Sequence, residues 1–164
     1  MSQRKLTEFV LKTSGVVAQH PLLSMVKHTL YFDGCSKGNP GPAGAGAVLY
    51  INNDGDDIGQ EVWAKAAFVG KKETNNVAEY TGLVIGLAEA NNQGIQHLVV
   101  KGDSKLVIEQ MKGKYKVKAP NLLPLYQQAK HYSTMFITID FIHVYRNENK
   151  RADELSNQGL DTSL

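Results

Sequence analysis

Four acidic residues, Asp33, Glu79, Asp103 and Asp153, have surroundings that suggest chemistry. Asp33 and Asp103 each follow a short apolar run, 29–32 and 97–100, of the kind that forms a strand. Glu79 falls on the apolar stripe of a predicted helix, where a carboxylate is unfavourable unless it is paired or bound to a cation. Asp153 lies in a C-terminal helical stretch. Each acid alone has an ordinary explanation, since aspartates end strands and cap helices, and a glutamate near a helix start complements the dipole. Convergence would change this. Like charges held close repel strongly, and a bound cation is the simplest way to keep all of them ionised. An all-oxygen donor set with no histidine or cysteine cluster favours Mg²⁺ or Mn²⁺ over zinc. Two such ions, roughly 4 Å apart, can orient a water, neutralise a phosphodiester and stabilise the leaving oxygen.

The elements that must position these acids can be read from periodicity. Residues 29–32 predict a strand ending at Asp33, followed by a turn-rich segment, 34–44, with two prolines. Runs 45–51 and 61–69 predict two more strands around the turn 52–59, so the first three strands should form an antiparallel meander. That turn lacks the closing glutamate of a calcium loop, because Trp63 stands there. Residues 74–92 predict a helix with Glu79, Leu83, Gly86, Leu87 and Ala90 along one face. A strand at 97–100, helices at 104–112 and 122–132, a strand at 136–143 and a last helix at 148–159 complete the order. Alternation of strands and helices in this half implies parallel pairing, so the expected fold is α/β with a mixed sheet. Ligands in such sheets gather outside the carboxyl ends of the strands, where Asp33 and Asp103 fall.

Composition sets limits. A length of 164 residues predicts one domain with a core of its own, and no apolar run approaches the roughly 18 residues of a membrane span. Cys35 is the lone cysteine, so no internal disulfide holds the fold, in keeping with an intracellular setting. A net charge of +2 is too small for attraction of nucleic acid by the whole molecule, which leaves a local patch. Lys101, Lys105, Lys112, Lys114, Lys116 and Lys118 form one, with Tyr115 among them; a solvated helix end is the plainer reading. Residues 1–27 read as an extension, a short helix or a partly disordered segment, ahead of a domain spanning 28–164. Leu6, Phe9 and Val10 have helical spacing there before Gly15 and Pro21 interrupt.

Four stretches, YFDGCSKGNPGP at 31–42, TNNVAEY at 74–80, GDS at 102–104 and NKRADEL at 149–155, closely resemble type 1 ribonuclease H. They occur in the family's order across about residues 28–160, and four motifs in succession are far more specific than one. The resemblance implies a ribonuclease H-like fold, a five-stranded mixed sheet flanked by helices. It also implies an endonuclease that hydrolyses the RNA strand of RNA–DNA hybrids, leaving 5′-phosphate and 3′-hydroxyl ends. Asp33, Glu79, Asp103 and Asp153 would then be the metal-binding acids, holding Mg²⁺ or Mn²⁺ as two ions, in a monomer without a membrane partner.

The resemblance also assigns substrate contacts. Gly38 and Asn39 would approach the hybrid closely, since glycine adds no bulk. Thr74, Asn75 and Asn76 match residues that bind the DNA phosphate and the RNA in the minor groove. Short amides suit 2′-hydroxyls because they both donate and accept. Thr74 also suits the helix cap. In the last loop, His143 stands ten positions before Asp153, as in long-loop members, and Arg146 seven before it, as in short-loop members. The pattern favours the short-loop variety and Arg146, which can hold a phosphate through paired hydrogen bonds. In the long-loop pattern His143 would instead assist proton transfer or product release; in the short-loop pattern it is a structural histidine. Tyr145 departs from the proline usual in that loop, and Lys105 replaces a common glutamine, so its contact with RNA would be electrostatic. The basic segment 112–120 is shorter than the protrusion of some members. Two other readings compete: a silent nucleic-acid-binding module, which the intact acid set opposes, and a resolvase or transposase of the same architecture, which the asparagines near Glu79 oppose.

Overall fold

The computed structural model describes residues 26–52 and 59–162. The first 25 residues, which carry most of the expected extension, and the tip of the turn after Asn52 lie outside the described part. Strands β1 (Lys27–Ser36), β2 (Gly41–Asn52) and β3 (Gln60–Glu73) form an antiparallel meander. Helix α1 (Asn75–Asn92) leads to β4 (His97–Gly102), α2 (Lys105–Met111), α3 (Leu123–Ser133) and β5 (Thr138–His143). A 3₁₀ turn at Arg146–Glu148 enters α4 (Lys150–Asp161). β4 pairs parallel to β1, and β5 parallel to β4, giving the sheet order β3-β2-β1-β4-β5. The mixed five-stranded sheet expected from the residue pattern is therefore the observed one.

Period-two alternation explains the placement of β1. Leu30 and Phe32 are fully buried on one face, against Tyr80, Leu83 and Leu87 of α1, Leu98 and Val100 of β4 and Val107 and Ile108 of α2. Burying each such side chain contributes roughly 1.5–3 kcal/mol. Thr29, Tyr31 and Asp33 alternate with them and so take the other face, part of which is covered by α4. The second, smaller core there joins Val48, Ala152 and Leu155. Helix α1 starts where the sequence signals it: the Thr74 hydroxyl accepts the Val77 N–H at 3.2 Å. Ser104 caps α2 in the same way, through the Val107 N–H. Gly94, at φ 73°, follows the last turn of α1.

One boundary differs from expectation. The turn-rich reading of 34–44 fails for most of that segment, because β1 continues through Ser36 and β2 resumes at Gly41, with only 37–40 as the loop. Asp33 thus sits inside β1 and not after it. Gly34, Gly44 and Gly46 are there for close packing. A methyl group at Gly34 would lie 2.2 Å from the Glu79 nitrogen, and one at Gly46 would lie 2.5 Å from Ala152 O. Gly34 and Gly44 fall in the segment that reads as a turn and Gly46 in the expected strand 45–51, whereas here all three let α1 and α4 press onto the sheet. Loop 37–40 does hold the unusual backbone, with Gly38 at φ 92° and Asn39 at φ 30°.

Candidate active site

The carboxyl ends of β1 and β4 bring Asp33 and Asp103 together, and the first turns of α1 lay Glu79 over them. One ligand oxygen from each of Asp33, Glu79 and Asp103 falls within 4.8 Å of the others. Asp153, from the first turn of α4, lies outside that tight trio but borders the same cleft and contacts the Asp33 carboxyl. Asn157, one turn on, donates to Asp153 O at 2.9 Å. The cleft encloses about 590 Å³ and is also lined by Asn75, Asn76, His143 and Arg146.

Burial governs the electrostatics. Asp33 is 4% exposed and its carboxyl is pushed up to about 7, chiefly by burial and further by the Asp103 charge. Hydrogen bonds with Glu79 and from the Gly34 N–H oppose the rise. Glu79 is driven well above the ordinary carboxylate range by burial first and by the Asp33 charge second. Without a cation the pair retains a proton to near-neutral pH. Glu79 Oε2 is buried and has no hydrogen-bond partner among the described residues. An acceptor oxygen left in that state is unfavourable unless something positive meets it. Oxygen donors, close spacing and an orphaned carboxylate oxygen together fit a hard divalent cation, and the trio can hold one.

The remaining expected site residues divide into those on the cleft and those beside it. Asn75 and Asn76 are exposed on its wall. Asn39 stands outside the lining but accepts the Asn75 N–H at 2.9 Å, and Asn75 Oδ1 accepts the Ser36 N–H at 2.8 Å. These bonds tie the 37–40 loop to the start of α1, with exposed Gly38 beside them. Thr74 caps α1 by accepting the Val77 N–H, which leaves its own O–H to donate. Lys105 is exposed at the start of α2 and does not line the cleft. His143 ends β5, where its Nε2 lies 3.2 Å from Asp103 O and its ring packs edge-on to Tyr145. Arg146, in the 3₁₀ turn, is exposed on the cleft and has no ion pair among the described residues. Cys35, Ser36, Ser104 and Tyr145 also line it and were not singled out as site residues from the sequence. Their closeness to the acids in the chain was the available signal.

A mixed sheet in this strand order, with acids gathered at the carboxyl ends of its central parallel pair, defines the ribonuclease H-like class of folds. The reverse transcriptase-like family profile matches residues 31–159. A bifunctional protein of Mycobacterium tuberculosis is 43% identical over 138 residues, covering 84% of this chain and 36% of that protein. This chain therefore spans about a third of that relative's length. The solved N-terminal RNase H domain of the same mycobacterial protein superimposes with a TM-score of 0.78, covering 84% of this chain and 96% of that one. The ribonuclease H of Pseudomonas syringae is 31% identical over 144 residues, covering 80% of this chain and 91% of that protein. An RNase H1 isolated from compost, solved in complex with RNA/DNA hybrid, gives a TM-score of 0.73 at 35% identity, covering 83% of this chain and 98% of that one. The chain belongs to the ribonuclease H family.

Proposed function

We propose that this chain is a type 1, short-loop ribonuclease H, an endonuclease that hydrolyses the RNA strand of RNA–DNA hybrids. The observation that carries the reading is the acid trio, one oxygen of each within 4.8 Å of the others, in which Glu79 also keeps a buried oxygen without a partner among the described residues. The ribonuclease H of Pseudomonas and the hybrid-bound compost enzyme support the substrate. Asp33, Glu79, Asp103 and Asp153 would hold Mg²⁺ or Mn²⁺, as two ions. Bound there, the metal would activate a water and neutralise charge on the phosphodiester.

This chain's own groups do the rest. Asn75 and Asn76 line the cleft, where their amides would bond 2′-hydroxyls across a wide, shallow minor groove. Thr74, Gly38 and Asn39 would meet the DNA phosphate and the backbone of the hybrid, and Lys105 would attract it electrostatically. Arg146 would hold the scissile phosphate through paired hydrogen bonds. In-line attack of water on phosphorus breaks the bond to O3′, which leaves with a proton as the 3′-hydroxyl and leaves a 5′-phosphate on the other fragment. One chain supplies the whole acid set, so a monomer suffices. Among the described residues no helix is long and apolar enough to cross a membrane, and the lone cysteine suits an intracellular setting.

The test is to offer labelled hybrid, single-stranded RNA, duplex RNA and duplex DNA, with Mg²⁺ and then with chelator. Internal cuts confined to the RNA of the hybrid, and abolished by chelator, are expected. Hybrid retained but uncut would make the chain a binding module. Cutting of duplex DNA in preference would move it to the resolvase-like group.

A further inference from the structure

Asn149 holds a place that nothing in the acid chemistry requires. It is 1% exposed, and its side-chain N–H₂ donates to Phe32 O at 2.9 Å. Phe32 is the residue before Asp33 and the last of β1 in register with β4. An asparagine at the start of a helix ordinarily turns its oxygen back to cap that helix. Asn149 stands at the start of α4 and makes no such side-chain cap. Its amide is given to the strand instead. Its main chain is committed as well: the Asn149 N–H donates to Arg146 O, and Asn149 O accepts the Asp153 N–H, both at 3.1 Å. Residues four apart share a helix face, so the anchor at 149 sets where Asp153 points.

We propose that Asn149 is a positioning residue, a clamp that fixes the Asp153 helix and the Arg146 turn against the strand bearing Asp33. This rests on the metal-acid reading above and adds to it a determinant of acid spacing. The bond is to a main-chain carbonyl, so it holds β1 whatever side chain stands at position 32. Groups that orient metal ligands commonly alter affinity as much as the ligands do. A misplacement of about 1 Å in a site of this kind can lower the rate on the order of a hundredfold.

Asn149→Ser keeps a residue that caps α4 well but cannot reach Phe32 O, and Asn149→Asp keeps the size while replacing the donor by an acceptor. Three quantities are measured: kcat and KM on the hybrid, Mn²⁺ binding without substrate by loss of the free-ion resonance signal, and the melting temperature. Ile95→Ala, in the core before β4 and away from the acids, serves as a comparison for simple destabilisation. The expected result is kcat at least about tenfold lower in both Asn149 variants, with KM within about twofold and Mn²⁺ bound several-fold more weakly. Ile95→Ala, melting lower, should keep both kcat and Mn²⁺ affinity. Normal kcat and Mn²⁺ affinity in Asn149→Ser would overturn the proposal. So would equal losses in Ile95→Ala, or failure of both Asn149 variants to melt cooperatively, which would make the residue a fold determinant. Asp103→Asn separates the two readings: if it turns over normally the metal-acid reading fails, and if it is inactive beside a normal Asn149→Ser only the clamp fails.

Discussion

Asp103 and Glu79 show how much one carboxylate does in this cleft. Asp103→Asn removes a charge from the trio and keeps its shape, so the rate should fall by at least about a hundredfold while the melting temperature changes little. Turnover near the unaltered level would refute the assignment. For the loop, His143 already meets Asp103 O, whereas Arg146 is exposed on the cleft. A bond to a charged group is worth about 1.5–3 kcal/mol, so Arg146→Ala should reduce kcat/KM by about ten- to a hundredfold and His143→Ala by less. A larger histidine defect would reverse the preference. The buried acids also make the metal-free protein sensitive to pH. Because Asp33 is raised to about 7 in the folded state, the proton it keeps stabilises that state fully at low pH. Stability is lost as pH rises through the folded value. Melting temperatures in chelator should fall between pH 5 and pH 8, and saturating Mg²⁺ should lessen the fall. A rise over that range in chelator would contradict it.

Glycines decide how closely the helices approach, and here the sequence was only partly legible. Gly34→Ala sets a methyl carbon into the backbone of Ala78 and Glu79, so α1 must move. The expected destabilisation is about 1–3 kcal/mol by denaturant titration, with at least tenfold loss of activity as Glu79 leaves Asp33. Gly94→Ala makes the contrast: among the described residues no atom crowds it, its φ of 73° costs about 1–2 kcal/mol, and activity at saturating metal should survive. If both variants lost activity alike, spacing of α1 would not be what matters. Apolar periodicity revealed α1, its Thr74 cap and the buried position of Glu79, and the strand runs gave the mixed pairing. It could not show that Gly34, Cys35 and Ser36 belong to β1, because glycine written for close packing looks the same as glycine written for a turn. Nor could spacing reveal that Asn149 gives its amide to a strand and not to its own helix.

Taken entire, the molecule has little long-range field, so its hold on a polyanion must be local. Glu109 lies 3.9 Å from both Lys112 and Lys114 and offsets part of the basic segment. Lys116 and Lys118 remain exposed. Replacing both by alanine should flatten the dependence of hybrid affinity on salt by up to about 1.8 in the log–log slope, with sequence preference unchanged. An unchanged slope would place the substrate elsewhere. The bond between Asn149 and Phe32 joins residues 117 positions apart. Contacts of such separation form late, since the long loop must close before they reward it. A nascent chain leaving the ribosome would therefore expose Asp33, Glu79 and Asp103 well before Asp153 is even translated. The Asp33–Glu79–Asp103 trio would gain Asp153 only when α4 closes onto β1.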